Sequence, residues 1–251
     1  MSNTNEIDIW ASQDSYTELK PNEIHIWLNY LNVHEARIKH LYPLLSFEEK
    51  ERSERFKFYK HRKAFIASHG FMHNVLANYI DTPANEINFS QSEFGKPFIK
   101  EKQNSDNIQF NLSHSHNMAI LAVCKNNSVG IDIEYAIRET DWLSISQRFF
   151  TPNEQQQFFK LNDALQKDAF FKIWTRKEAH MKVTGLGLSL APTQFEVSVP
   201  PTKATFAGNL NTPNENFYKM KDIIIPEMFK DYFACLSANF DFNKVMQFIH
   251  S

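Results

Sequence analysis

Apolar and polar residues alternate along Glu23–Leu31 (EIHIWLNYL), the two-residue period of a β-strand. The period then lengthens. Ser46 stands as an N-cap with Glu49 three residues on, the spacing of a capping box, and opens a helix. A second, longer helix is predicted over residues 61–80, where Phe65, Phe71 or Met72, Val75, Leu76 and Tyr79 recur at helical spacing. A strand–turn–strand region follows, turning at Phe94-Gly95-Lys96-Pro97. Two more strands are predicted at MAILAV (118–123) and VGIDIE (129–134), separated by a turn at Lys125–Ser128. FFKIWTRKEAHMKVTG (170–185) reads as a further helix. Residues 1–23 are polar and expected to be peripheral. Residues 201–251, with ANFDF and VMQFIH, are expected to finish the second half of the chain and pack on it.

The two halves match at a fixed offset. Ile26 and Ile131, Tyr30 and Tyr135, Glu49 and Glu154, Ala64 and Ala169, and Phe65 and Phe170 are each 105 positions apart. The strand IHIWLNY falls on VGIDIEY, and the cap LLSFEE falls on FFTPNE with Ser46 over Thr151. The pattern predicts two copies of one α/β unit, residues 1–125 and 126–251, joined near 125–128. Asp132, Glu134 and Glu178 fall opposite Trp27, Asn29 and His73, so only the second copy carries three carboxylates.

Composition narrows the function. With 251 residues, 42% hydrophobic and 22% charged, the chain is long enough for a sizeable soluble core, and its 23 Phe against 6 Gly predict an aromatic one. A net charge of −2 supplies no basic field for nucleic acid, so any phosphate site must be a local cluster. MSNTNEIDIW has neither the basic nor the apolar region of a signal peptide, and no apolar stretch reaches membrane-spanning length, so a cytoplasmic location is expected. Cys124 and Cys235 lie in apolar runs and read as buried free thiols, with one disulfide as the alternative; they are too few for a zinc site.

Asp132 and Glu134, at i and i+2 of a strand, share one face and repel unless a cation or solvent intervenes. Alone they would describe a charged edge strand. The helix after them adds Glu178, flanked by Lys177 and Lys182, and that set suits a metal-bound phosphate: Mg²⁺ takes oxygen ligands and lysines offset the remaining charge. An ordinary i,i+4 surface pair is the plainer account of Glu178 and Lys182. Ser113-His114-Ser115-His116 lacks the GxSxG elbow of a serine hydrolase and reads as a polar strand entry, a His-x-His metal site or a phosphate-donor patch.

Together FNLSHSHNMAILAV, VGIDIE, FF-T-x-x-E and WTRKEAHMKVTGLGLSL, in that order, resemble the Sfp-type 4′-phosphopantetheinyl transferases, and FGKPFI (94–99) resembles their GKP turn. The likeness covers about residues 24–200. It implies an α+β fold of two similar α/β subdomains about a pseudo-twofold axis, each a small antiparallel sheet packed on helices, with coenzyme A in the cleft between them. It implies Asp132, Glu134 and Glu178 as ligands of Mg²⁺, with Mn²⁺ as the alternative; Lys177 and Lys182 near the diphosphate; Ser113 and His114 toward the adenosine 3′-phosphate; Lys96 on the adenosine side; and Arg62 as a phosphate-binding residue. Lys50 and Arg52 stand where the family places basic residues on the preceding helix, in an unfixed register.

The reaction implied is transfer of phosphopantetheine from coenzyme A to a serine of an apo acyl or peptidyl carrier protein, releasing 3′,5′-ADP. Glu178 would be general base and Lys182 would steady the leaving nucleotide. Peptide-synthetase, polyketide and fatty-acid carriers all qualify, and the two-half build favours the secondary-metabolism type and a monomer. DWLSISQRFF (141–150), with Trp142, Leu143, Ile145 and Arg148, is either a carrier-docking helix or core packing. A Mg²⁺-dependent phosphohydrolase and a non-catalytic coenzyme-binding module are the rival readings.

Overall fold

The computed structural model describes residues 10–12, 18–137, 140–209 and 218–250. The chain runs β1 (Trp10–Ser12), β2 (Glu23–Tyr30), α1 (Glu35–Leu41), α2 (Phe47–Glu54), α3 (Tyr59–Leu76), β3 (Phe89–Gln91), β4 (Pro97–Ile99), β5 (Ile108–Ser115) and β6 (Met118–Lys125). It continues β7 (Val129–Tyr135), α4 (Trp142–Phe149), α5 (Pro152–Phe158), α6 (Asp163–Thr184), β8 (Phe195–Glu196), β9 (Phe206–Asn209), β10 (Tyr218–Ile223), β11 (Tyr232–Ala238) and β12 (Lys244–Ile249).

The offset of 105 survives in three dimensions. β2 and β7, α2 and α5, and α3 and α6 occupy corresponding places in the chain. Both short helices open with a complete capping box: Ser46 and Glu49 bond each other's backbone N–H, and Thr151 and Glu154 do the same. The expected α+β duplication is therefore present.

Two five-stranded sheets carry it, ordered β1-β12-β2-β6-β5 and β7-β11-β10-β9-β8. The β2, β6 and β7 residues that alternate inward build the core between the sheets, among them Ile24, Ile26, Leu28, Ile120, Ile131 and Ile133. The opposite face of β2 packs on α3 through Trp27, Phe71 and Val75, and an aromatic cluster with Phe150, Phe158, Phe170 and Phe171 surrounds α6. The order of layers is helix, sheet, sheet, helix.

One expectation is corrected. VMQFIH does not finish the second half. As β12 it enters the first sheet and pairs with β2 in parallel, Phe248 opposite Trp27, so that sheet is mixed rather than antiparallel. The apolar alternation of this segment fits either sheet; Phe248 stacks on Trp27 in the first. Both cysteines are buried free thiols. No helix among the described residues is long and apolar enough to cross a membrane.

Candidate functional site

β7 lies at the edge of the second sheet and β5 at the edge of the first. Val129, Ile131 and Ile133 point into the core between the sheets, which sends Gly130, Asp132 and Glu134 to the side of α6. α6 comes so close that a Cβ on Gly130 would stand 2.3 Å from the Ala179 carbonyl oxygen and 2.4 Å from the Val183 nitrogen. That approach brings Glu178 and Lys182, one helical turn apart, over the carboxylates of β7.

The polar centre is tight. Lys182 Nζ donates to Asp132 Oδ1 at 2.6 Å and to Ser113 Oγ at 2.8 Å, and Ser113 Oγ donates to the same Asp132 oxygen at 2.9 Å. Ser115 Oγ donates to Glu134 Oε2 at 2.9 Å. Asp132 is buried, and its Oδ2 has no protein partner. Burial, then the charge of Asp132, pushes the Glu178 carboxyl up to about 7; Lys182 opposes the rise and Glu134 adds to it. Among the described residues no three carboxylates, imidazoles or thiolates converge on one point as they stand. Lysine and serine donors occupy the inward oxygens instead.

A cleft of about 680 Å³ opens on the other face of β5, lined by Arg52, His69, Met72, Pro97, Lys100 and His114 among others. His114 joins cleft and carboxylate centre. Burial, then neighbouring His69, Lys182 and Arg52, lowers its imidazole below the usual range, with Asp132 acting the other way. His69 is fixed by Glu49, whose Oε1 meets His69 Nδ1 at 2.6 Å while Oε2 meets His73 Nε2 at 2.8 Å. Burial opposes ionisation of Glu49, but the hydrogen bonds from both histidines hold it well below the usual carboxylate range.

The other expected residues scatter. Arg52 lines the cleft, but Lys50 on the same helix turns away to the Pro43 carbonyl, 3.2 Å from its Nζ. Arg62 pairs with Glu54. Lys96 follows Gly95, whose positive φ of 83° makes the hairpin turn, and donates to the Val129 carbonyl at 3.0 Å; burial lowers its ammonium to about 8. It lines a separate cavity of about 560 Å³ with Phe94 and Leu186.

Lys177 is the clear correction. It is 0% exposed, and its three donors go to Glu154 at 2.8 Å and the carbonyls of Pro192 and Phe195 at 2.7 and 3.0 Å. Adjacent helical residues diverge by about 100°, so Glu178 and Lys177 cannot serve the same site. Ser113 is also engaged: its hydroxyl donates once and accepts from Lys182 and from the Ile133 N–H, which fills its capacity. Trp142 of α4 packs on Phe158 and Phe170, which answers that segment's ambiguity for this residue in favour of core packing; Leu143 is 43% exposed. His69 and Lys100 were not foreseen. The signal for His69 was its place on the α3 face shared with Phe65 and Met72; Lys100, just beyond β4, offered none.

The 4′-phosphopantetheinyl transferase superfamily model matches residues 128–236, and a 4′-phosphopantetheinyl transferase N-terminal model matches residues 32–126. The chain is 33% identical over 194 residues to the 4′-phosphopantetheinyl transferase HetI of a Nostoc species, covering 77% of this chain and 81% of that one. It is 30% identical over 198 residues to the 4′-phosphopantetheinyl transferase gsp of Aneurinibacillus migulanus, covering 77% and 78%. It is 32% identical over 162 residues to the L-aminoadipate-semialdehyde dehydrogenase-phosphopantetheinyl transferase of Mus musculus, covering 61% and 52%.

Proposed function

Because the chain belongs to the 4′-phosphopantetheinyl transferases, we propose that it moves phosphopantetheine from coenzyme A to a carrier-protein serine at the meeting point of the cleft and the Asp132–Glu134–Glu178 cluster. One observation supports the placement: His114 lines the cleft with Arg52, His69 and Lys100, and its imidazole also feels the charges of Lys182 and Asp132, so the coenzyme is placed across the two.

The donor set suits a hard divalent cation. Asp132 Oδ2 is a buried anionic oxygen without a partner, and the charged form of Glu178 is disfavoured by burial and then by its carboxylate neighbours, which a cation would relieve. Asp132, Glu134 and Glu178 would hold Mg²⁺, or Mn²⁺, which would supply charge neutralisation at the diphosphate.

The chain's own residues do the rest. Arg52, Lys100 and His114 bind and orient the nucleotide end. Glu178 takes the proton of the carrier serine as its oxygen bonds to the β-phosphorus. The bond from that phosphorus to the bridging oxygen breaks, and Lys182 steadies the departing 3′,5′-ADP. Leu143 and Arg148 of α4 are offered to the carrier. This reading extends to a monomeric cytoplasmic enzyme of secondary metabolism that uses neither nucleic acid nor membrane.

The test is mass spectrometry of an apo-carrier incubated with the chain, coenzyme A and Mg²⁺. A gain of one phosphopantetheine is expected, lost in Glu178→Gln with unchanged thermal stability. Unchanged turnover in Glu178→Gln sinks the base assignment. Phosphate release without a modified carrier points to a hydrolase, and coenzyme binding without either reaction to a binding module.

A further inference from the structure

β5 and β7 are edge strands of different sheets, yet they are stitched together without backbone pairing. Three side chains of β5 accept backbone N–H groups of β7 at a constant separation of 20: Asn111 from Ile131 at 2.9 Å, Ser113 from Ile133 at 3.4 Å and Ser115 from Tyr135 at 3.1 Å. The alternation of β5 explains this. Ile108, Phe110 and Leu112 face α3, so Asn111, Ser113 and Ser115 face the other sheet.

The three are not equivalent. Asn111 makes the seam bond through its Oδ1. Ser113 and Ser115 use their remaining O–H to donate to the carboxylate one position earlier on β7, Asp132 Oδ1 and Glu134 Oε2. Each hydroxyl therefore clamps a side chain and the next peptide N–H at once. An Asp or Glu with one oxygen held in this way presents its other oxygen in a fixed direction, and Asp132 Oδ2 is the buried, unpartnered result.

We infer that Ser113 and Ser115, supplied by the copy that lacks counterparts of the three carboxylates, are positioning residues that aim Asp132 and Glu134 at a divalent cation. The inference rests on the metal reading given above. It moves Ser113 from coenzyme binding to the support of the carboxylates, and it gives the first half a part in the metal site. Hydroxyls that orient metal-binding carboxylates are worth on the order of tenfold or more in metal affinity.

The experiment titrates the full-length protein with Mn²⁺ alone, reading free Mn²⁺ by electron paramagnetic resonance and following thermal stability in parallel. Ser115→Ala is expected to weaken Mn²⁺ binding on the order of tenfold. Ser115→Thr, which keeps the hydroxyl, is expected to bind like wild type. Asn111→Ala loses a seam bond but no carboxylate bond, so its melting temperature falls while its Mn²⁺ affinity holds. Should Ser115→Ala not fold, Ser115→Val against Ser115→Thr gives the same contrast at nearly constant shape. Wild-type affinity in the hydroxyl-free variant overturns the inference and leaves the metal reading standing; a wild type that takes up no Mn²⁺ overturns both.

Discussion

Glu49 and Glu154 stand 105 positions apart and close the same capping box on equivalent helices, yet each holds a different neighbour on the long helix that follows. Glu49 is bonded to His69 and His73, at the wall of the cleft. Glu154 is bonded to Lys177 and to the backbone N–H of Val197, in the core. The duplication kept the carboxylate as a buried anchor and changed what it anchors. In the first copy it holds His69, which lines the cleft, and the buried His73; in the second it holds Lys177, the neighbour of Glu178.

Lys177 is accordingly expected to matter for folding. Glu154 and Lys177 are each 0% exposed, and burial raises the one carboxyl and lowers the other ammonium against their mutual attraction. Removing one partner leaves a buried charge, at a cost of about 3–5 kcal/mol. Urea unfolding of Lys177→Met should show that loss, and Lys177→Met combined with Glu154→Gln, which removes the charge but keeps an acceptor for the capping box, should recover part of it. A Lys177→Met protein of native stability that binds coenzyme A poorly would return Lys177 to the site.

Gly130 sets how closely α6 approaches the carboxylates. The atoms a Cβ would strike, the Ala179 oxygen and the Val183 nitrogen, belong to helix backbone and cannot swing aside. Gly130→Ala should therefore push α6 off β7, lowering the melting temperature and weakening Mn²⁺ binding together. Retention of both would show that the helix can move without cost.

Much of this was legible in the residues. The two-residue period marked β2, strand-forming runs marked β6 and β7, the capping box marked α2 and through the offset α5, and the lack of the three carboxylates in the first copy marked which half carries the ionic cluster. Facing direction was harder to read. Lys177 and Glu178 are neighbours in sequence but diverge around the helix, and only the packing of Pro192 and Phe195 shows which turns inward. Pairing between distant strands was hidden altogether. Nothing local in VMQFIH distinguishes a strand that completes its own half from one that crosses to the other.

Acid sensitivity follows from histidines buried as neutral rings. His25 and His180 are 0% and 3% exposed, and burial lowers each from 6.5 to about 4. Between these values the unfolded chain binds protons that the folded chain refuses. Each histidine thus contributes stability that is complete above pH 6.5 and lost as pH falls toward about 4, with a slope of up to ~1.4 kcal/mol per pH unit. Glu178, held up to about 7, acts in the opposite sense over much of this range, so a substitution isolates the effect better than the wild-type curve. His180 packs between Phe195 and Tyr218, 4.4 and 4.7 Å away, where a phenyl ring is at home. His180→Phe should flatten the fall in urea midpoint between about pH 7 and about pH 5 by one histidine's share. An unchanged slope would show that His180 titrates alike in the folded and unfolded chain.

The crossing of β12 makes the two halves interdependent. Phe248 is 0% exposed and stacks on Trp27 at 4.5 Å, so a residue near the C-terminus fills the core of the N-terminal half. Its neighbours Trp10, Ala11 and Ser12 of β1 reach the sheet only through β12, since β1 pairs with it and not with β2. Unfolding of either half then removes support from the other, and a single transition is expected by circular dichroism and by tryptophan fluorescence. Phe248→Ala should cost about 3–5 kcal/mol and shift both signals together. Met228→Ala, at a position 78% exposed, should stay within about 0.5 kcal/mol of wild type. Two separated transitions in Phe248→Ala, with the second half unaffected, would mean that β12 is an ornament on the first sheet and that each half folds alone.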